Sequence, residues 1–469
     1  APGHNNLALE CFACIMRVMG DLPLLANQHE VDCVNTLLMY CHRLESIRDE
    51  VYCQIMKQTT NNKSHRKDSC QKGWRLFTIV AAYFSCTEVL KPFLFKYLET
   101  SAYDKRRAYH GTALVCLQNL RKTFKYGGRK NVPSIEEITA IVAGRSSKRQ
   151  IYRLPGGTEK IINTKSTTVV ADIIDELCNF IGVKSESEKE EFSLYCIIEG
   201  ELYTLPLSNR HYILDLTNGL QHQNEDFYLI FCRSVWHYPL RKENPLYIEV
   251  VFNQIAPDYL EGHLLVMTGG LLAEEETVAQ ISKVAALLHR AADMNEKPSI
   301  KETKFLLPKP LLSSREIKPP AWVHMVQSNW KDIEHLSSGE AKAGVLQILS
   351  DWPLFGSSFF AVTRVSEGVK NEEDIEEELL ALNKHGVSFL DQITHETLLF
   401  YSFSEVISTR KVEIDETSLY LDMKCGNLMS QKITRIKTFQ ADEIARLIRQ
   451  YISIDQKLKG SAPSLTRTK

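Results

Sequence analysis

No part of this sequence is long and apolar enough to cross a bilayer. The longest largely apolar run, Phe77 to Phe84, spans eight residues, whereas a membrane helix needs about 20. No basic segment followed by an apolar stretch opens the chain, so nothing supports secretion. The motifs of common catalytic folds are missing too. There is no G-x-x-x-x-G-K-S/T phosphate loop, no H-E-x-x-H zinc helix and no G-x-S-x-G elbow. The His-Cys order of Cys-based phosphatases is reversed at Cys41-His42, and the 14 His are scattered. No catalytic residue, metal ligand or cofactor is assigned, and the chain is not expected to be an enzyme.

Net charge is scarce as well: 56 Lys and Arg face 58 Asp and Glu, a formal sum of −2. The even total conceals a split. Residues 1–150 hold 22 Lys and Arg against 13 Asp and Glu, a sum of +9, and the remainder holds 34 against 45, a sum of −11. Two oppositely charged parts suggest two roles, the basic one facing an acidic partner. The rest of the composition is ordinary. With 44% hydrophobic and 24% charged residues, wholesale disorder is excluded. A chain of 469 residues exceeds what one core holds, so roughly two to four domains are expected.

Of the 12 Cys, eight fall between Cys11 and Cys116. Most lie in apolar helical patterns, where a free Cys behaves as a small hydrophobe. Cys11 and Cys14 form a C-x-x-C pair inside a helical stretch rather than a βαβ unit, and Cys33 with Cys41 is not a second pair at zinc spacing. Buried, reduced thiols of an intracellular protein are the expectation. In that setting the sequon Asn62-Lys63-Ser64 carries little weight.

Up to about residue 145 the apolar spacing is helical. Leu9, Phe12, Met16 and Met19 form one stripe, and Val31, Val34, Leu38 and Cys41 a second. Leu76, Ile79, Val80, Tyr83 and Phe84 form a wider one, and Leu114, Leu117, Leu120 and Phe124 a fourth, stopped by Gly127-Gly128. A compact antiparallel bundle follows from this pattern. Near Arg149 the texture changes. Ile151–Leu154 and Ile161–Thr164 flank Pro155-Gly156-Gly157-Thr158 as a hairpin. Thr168 is placed to cap a helix reaching Ile181, and strands follow at Phe192–Glu199 and Tyr228–Arg233. This is a small ubiquitin-like roll. Helices return from Pro245 to Ser350, with Val278, Ile281, Val284, Ala285 and Leu288 on one face. The proline-rich stretch Pro298–Pro320 interrupts them and is expected on the surface, and the last helix, Ala341–Leu349, ends before Trp352-Pro353. Seven strands follow, at Phe359–Val365, Leu379–Asn383, Val387–Leu390, Thr397–Tyr401, Val406–Ile414, Leu419–Met423 and Lys432–Lys437. With a helix over Ala441–Ser453 they make the pattern of a pleckstrin-homology or phosphotyrosine-binding barrel. An acidic loop, Glu372 to Glu378, separates the first two strands.

Two features offer binding chemistry. The first is a basic docking face on the bundle. Arg121, Lys122 and Lys125 share a helix face, Arg129 and Lys130 follow at its end, and Lys105, Arg106, Arg107, Lys63, Arg66 and Lys67 lie in loops. No aromatic stacking platform accompanies them, so nucleic acid is not expected. The second is the gap between the strand Val406–Ile414 and the helix Ala441–Ser453. An open strand edge there would supply main-chain hydrogen bonds, and Ile444, Leu447, Ile448 and Tyr451 would supply pockets, unless they only cap the core.

The segment Arg48-Asp49-Glu50-Val51-Tyr52-Cys53-Gln54-Ile55-Met56-Lys57-Gln58 resembles the central signature of a MyTH4 domain. Met19-Gly20-Asp21-Leu22-Pro23 precedes it and Gly73-Trp74-Arg75-Leu76 follows it in the family's order. The downstream parts resemble the three lobes of a FERM domain. Trp352-Pro353-Leu354-Phe355-Gly356-Ser357-Ser358-Phe359-Phe360 and Asn383-Lys384-His385-Gly386-Val387-Ser388-Phe389-Leu390-Asp391 are similar to third lobes in unconventional myosin tails. The resemblance implies a multidomain α+β chain. Residues 1–148 would be a MyTH4 bundle lacking its opening helical part. Residues 149–236, 237–350 and 351–456 would be the ubiquitin-like F1, helical F2 and barrel-like F3 lobes, and 457–469 a disordered tail. It also implies a cargo-binding tail of an actin-based motor of class VII, X or XV, cytoplasmic, cytoskeletal and located in actin-based projections. The partners implied are cargo or adaptor peptides and microtubules, with actin reached only through a motor domain outside this chain. The cargo groove would comprise Ser408, Thr409, Arg410, Lys411 and Val412 opposite Ile444, Leu447, Ile448 and Tyr451, with the first lobe, or the cleft between lobes, as the competing cargo site. Two rivals share these motifs: a non-motor or kinesin-linked adaptor, and a FERM scaffold in peripheral contact with anionic membrane.

Overall fold

The computed structural model describes residues 2–270, 275–314, 316–365, 377–415, 418–427 and 429–460. The first body is helical: α1 (Pro2–Met19), α2 (Glu30–Arg43), α3 (Glu45–Gln58), α4 (Ser69–Tyr83), α5 (Lys91–Tyr103), α6 (His110–Tyr126) and α7 (Ile135–Val142). Helix α4 is central, which is why it is buried continuously from Leu76 to Tyr83. Trp74 stacks on Phe77 and on Tyr97, with ring centroids 5.5 and 5.7 Å apart.

The signature motifs converge around α4. A Cβ on Gly73 would lie 3.0 Å from the Met19 methyl, so glycine lets α1 and α4 approach this closely. Gly20 turns the chain at φ +82°. The Asp21 carboxylate then accepts from Ser69 Oγ at 2.6 Å and from Ser64 Oγ. Tyr52 Oη donates to the Phe84 carbonyl at 2.5 Å. Arg48 donates to the Cys41 carbonyl at 2.8 Å while lying over the Phe84 ring. These motifs specify packing between helices. One expectation fails here: Leu9 is 66% exposed, and the buried face of α1 is Cys11, Cys14, Ile15, Val18 and Met19. Cysteine does the work of a core residue, and burial pushes the Cys11 thiol up to about 12.

The second body is a roll of β1 (Ser147–Arg153), β2 (Glu159–Lys165), α8 (Val170–Phe180), α9 (Glu186–Lys189), β3 (Phe192–Ile198), β4 (Leu205–Pro206), α10 (Ile213–His222) and β5 (Phe227–Arg233). Its sheet order is β2-β1-β5-β3-β4, with β1 and β5 parallel. Thr168 does not cap α8. Its Oγ1 accepts from Lys165 N at 2.8 Å and closes the preceding turn, and Val169 N donates to Asp172 at 3.0 Å.

A helical lobe follows: α11 (Pro245–Glu261), α12 (Glu275–Ala291), α13 (Ile300–Thr303), α14 (Lys309–Ser313), α15 (Pro319–Asn329) and α16 (Ser338–Leu349). The proline-rich stretch is pinned inward by Leu307 and Leu311, each 4% exposed, rather than lying wholly on the surface. The last body is a barrel of β6 (Ser358–Val365), β7 (Glu377–Asn383), β8 (Gly386–Leu390), β9 (Thr397–Tyr401), β10 (Val406–Asp415), β11 (Ser418–Gly426) and β12 (Gln431–Lys437), closed by α17 (Ala441–Gly460). The order is β10-β11-β12-β6-β7-β8-β9, so β10 is an edge. Of the acidic loop, only Glu377 and Glu378, which open β7, fall within the described residues. Residues 457–460, expected in a disordered tail, are helical, and 461–469 lie outside the described residues.

One buried guanidinium ties the roll to the helical lobe, and the chain just after it reaches the barrel. Arg233, at the end of β5, pairs with Glu191, with both side chains 1% exposed. It also donates to Tyr247 Oη on α11 and to the Tyr238 carbonyl, each at 2.7 Å. Trp236 N then donates to Tyr451 Oη on α17 at 3.1 Å.

Candidate functional site

Helix α17 has three working faces. Ile444, Leu447, Ile448 and Tyr451 are each at most 1% exposed and belong to the barrel core. They were expected to line a groove. The helix instead needs them to close the barrel, so they are not available as pockets. The second face docks on the roll. Tyr195 Oη donates to Glu443 at 2.6 Å, Arg446 donates to Tyr195 Oη at 2.8 Å and to Ser193 Oγ at 3.1 Å, and Lys457 pairs with Glu190 at 2.7 Å.

The third face carries Asp442, Ala445, Arg449 and Ile452, spaced three and four apart. Asp442 fixes where it points, because Lys411 of β10 bonds to it at 2.8 Å. Thr409 and Lys411 lie opposite Met423 and Leu421 in the ladder, both core residues, so their side chains lean toward α17. Ser408, Arg410 and Val412 lie opposite Lys424, Asp422 and Tyr420 and point the other way. Only two of the five expected strand residues therefore line the gap with side chains. The other three offer main chain. The outer edge of β10 pairs with no strand among the described residues. Ala445 and Arg449 were missed by sequence reasoning. The signal was there, in the exposed Asp442 and Arg449 left over once the core stripe of α17 is removed, with Ala445 at the margin of that core.

The basic residues divide into two groups. Lys63, Arg66 and Lys67 lie in the α3–α4 loop, and Lys105, Arg106 and Arg107 in the α5–α6 loop, all exposed. A pocket of about 230 Å³, lined by Thr60, Asn61, Arg107 and Tyr109 among others, brings the two loops together at one end of the bundle. Arg106 leans on Asp104 at 2.9 Å. The remaining five sit toward the other end of α6, which is about 24 Å long. There Arg121 pairs with Glu99 at 3.1 Å, and Lys122 reaches Asp172 on the roll at 2.6 Å. Lys125 and Lys130 are exposed. Arg129 is not surface at all: its side chain is 0% exposed, held between Glu137 and Asp215.

Arg129 is placed by two glycines. Gly127 ends α6 at φ +86°. Gly128 passes so close to α4 that a Cβ would lie 1.7 Å from the Tyr83 carbonyl oxygen. Arg129 N then donates to the Ala82 carbonyl at 3.0 Å, and its guanidinium reaches Asp215 at 2.9 Å. Asp215 also accepts from Lys130 N at 2.9 Å, Tyr212 Oη donates to the Gly127 carbonyl at 2.5 Å, and Thr167 Oγ1 donates to Asn119 at 2.8 Å. The bundle and the roll are thus joined by a polar seam. A single expected docking face becomes an exposed basic end and, at the other end, two side chains, Lys122 and Arg129, engaged with carboxylates of the roll.

Among the described residues no group of His, Cys, Asp and Glu is arranged to hold a metal ion, and no helix is long and apolar enough to cross a membrane.

The MyTH4 domain family matches residues 34–140, and the FERM central domain family matches residues 238–360. Human unconventional myosin-XV is 36% identical over 96% of this chain, which spans 12% of that protein. Myosin-VIIa of Drosophila melanogaster is 25% identical over 94% of the chain, which spans 20% of it. Among solved structures, the human Myosin 7b C-terminal MyTH4-FERM domain, in complex with the harmonin-a PDZ3 domain, superposes with a TM-score of 0.67. It does so at 22% identity, covering 97% of this chain and 88% of the other.

Proposed function

This chain is a MyTH4–FERM unit of the unconventional-myosin kind, and we propose that it serves as the cargo-binding tail of an actin-based motor, acting in cytoskeletal projections. Units of this kind are protein-interaction modules. The chain spans about an eighth of the human myosin-XV it matches, so motor activity would reside outside it.

The observation that carries the reading is the open edge of β10 beside the third face of α17. An extended cargo segment can add to that edge through main-chain hydrogen bonds. Thr409, Lys411 and Arg449 would then read its side chains, over a floor at Ala445, which is 6% exposed and belongs to the barrel core. Ala445 matters because a small residue on the floor lets a strand come close. Binding of a partner by the Myosin 7b domain supports the general role. The exposed basic end, Lys63 to Lys67 with Lys105 to Arg107, supports a second contact with an acidic polymer such as a microtubule.

The test uses the whole chain as bait. Proteins captured by the parent and lost with Arg449→Glu or Thr409→Pro give candidate cargo, and peptides from them are then titrated by calorimetry. The reading expects affinity to fall at least about tenfold, or about 1.4 kcal/mol, while the thermal midpoint of Arg449→Glu is unchanged. Equal affinity for parent and Arg449→Glu would overturn it.

A further inference from the structure

The loop between β3 and β4 and the turn entering α17 place apolar side chains in water. Leu202 is 88% exposed, Tyr203 48%, Leu205 44% and Phe439 57%. Tyr203 stacks on Phe439 with centroids 6.4 Å apart, so the group bridges the roll and the barrel. That stack is not what holds the seam, which Tyr195, Glu443 and Arg446 already close with bonds of 2.6 to 2.8 Å. Leu202, almost fully in solvent, contributes nothing to it. Clustered apolar residues kept in water mark an interaction surface more often than single ones do.

The rim of this patch is acidic. Glu199 and Glu201 lie in the same loop, just before Leu202. Glu199 N donates to the Asp226 carbonyl at 2.8 Å, which draws Glu225 and Asp226 to the same edge. All four acids are exposed, and none has a cationic partner among the described residues. Lys437, two residues before Phe439, is the basic side chain nearest in sequence.

We propose that this seam docks a basic amphipathic helix of a partner protein, its apolar face set on Leu202, Tyr203 and Phe439 and its Lys or Arg residues set against Glu199 and Glu201. Aromatic anchors supply affinity at such surfaces, and charge complementarity supplies orientation and on-rate. The surface is separate from the β10–α17 groove and does not rest on it.

The probe is a fluorescein-labelled amphipathic Leu/Lys peptide of about 18 residues, long enough to be helical. Its Leu/Glu counterpart keeps the apolar positions. Anisotropy is read on the full 469-residue chain. The Leu/Lys peptide is expected to bind, and Phe439→Ser, Leu202→Ser and the pair Glu199→Lys/Glu201→Lys should each weaken it at least about tenfold. Glu275→Lys/Glu276→Lys on α12 makes the same change in net charge and should leave binding intact, as should Arg449→Glu. Leu202 is exposed enough that its variant folds even if Phe439→Ser does not. Equal binding of the Leu/Glu peptide would overturn the proposal, as would equal loss with the α12 pair. So would a dimer of the parent in sedimentation velocity that Leu202→Ser dissolves, since the occupant would then be a second copy of the chain.

Discussion

Replacing Arg129 by Ala should loosen the bundle from the roll. The guanidinium is fully buried, and its partners Glu137 and Asp215 are only 10% and 15% exposed. Removing one member of a buried ion pair leaves an uncompensated charge and costs about 3–5 kcal/mol. The lower end applies, because Asp215 keeps the Lys130 amide at 2.9 Å and Glu137 keeps Asn218 at 3.0 Å. A loss of about 3 kcal/mol lowers the melting temperature by roughly 6–12 °C, at roughly 2–4 °C per kcal/mol for a cooperative unit of about 230 residues. Differential scanning calorimetry reads this directly. Lys122→Ala is the internal comparison: its pair with Asp172 is 29% and 40% exposed, and such pairs contribute at most about 1 kcal/mol. Combining Arg129→Ala with Asp215→Asn should recover part of the loss, with a coupling of about 0.5–3 kcal/mol. A melting shift under about 2 °C, or strictly additive effects, would refute the reasoning.

Gly128→Ala should destabilise the same seam, because its Cβ would strike the Tyr83 carbonyl; chemical denaturation should show a lower midpoint than for Gly111→Ala, whose Cβ meets nothing within 4 Å. Leu447→Glu puts a carboxylate where the side chain is 1% exposed. It should cost several kcal/mol and unfold the barrel, seen as loss of near-ultraviolet circular dichroism, whereas Arg449→Glu should not. Burial holds the His395 imidazole below its ordinary 6.5, with the neighbouring His263 adding to the effect. The unfolded chain therefore binds the proton more readily, and the stability His395 contributes is present above about 6.5 and lost as pH falls. His263, raised through Asp258, opposes this in the parent. The melting gap between parent and His395→Asn should thus narrow from pH 7.5 to 5.5, and a constant or widening gap would count against it. Microtubule co-sedimentation should weaken with salt and be abolished by Arg66→Glu/Lys67→Glu/Arg106→Glu, but not by Arg121→Glu; pelleting indifferent to salt would remove that contact.

The barrel was legible strand by strand, because Phe359–Val365 and its successors are short runs rich in β-branched, aromatic and aliphatic residues bounded by turns; β8 is buried at every position, so alternation would not have found it. Short or compositionally mixed elements were not. β4 is two residues long, and α10 carries Thr217, Asn218 and Gly219 at its centre. The face of α1 was misjudged because the reading gave weight to the bulk of Leu9 and Phe12, whereas the packing chose Cys11 and Cys14, a residue type that is among the most often buried. For the candidate sites, charge could be counted but not assigned. Nothing in the local sequence separates Arg129, which is buried, from Lys130, which is exposed; the difference is made by Gly128 pressing the chain onto α4 and by an aspartate 86 residues away.

The Arg129 and Arg233 junctions lie in series along the chain. In the proposed role as a motor tail, a load applied at β10 and resisted at the bundle would cross both. At each, the force is shared among several short polar bonds to neighbouring elements, not carried by a free linker. Such an arrangement shears all at once or not at all, so the unit would transmit a pull as a stiff coupling and yield abruptly at a threshold. Optical-trap extension of the chain should therefore show few, large rips in place of gradual lengthening.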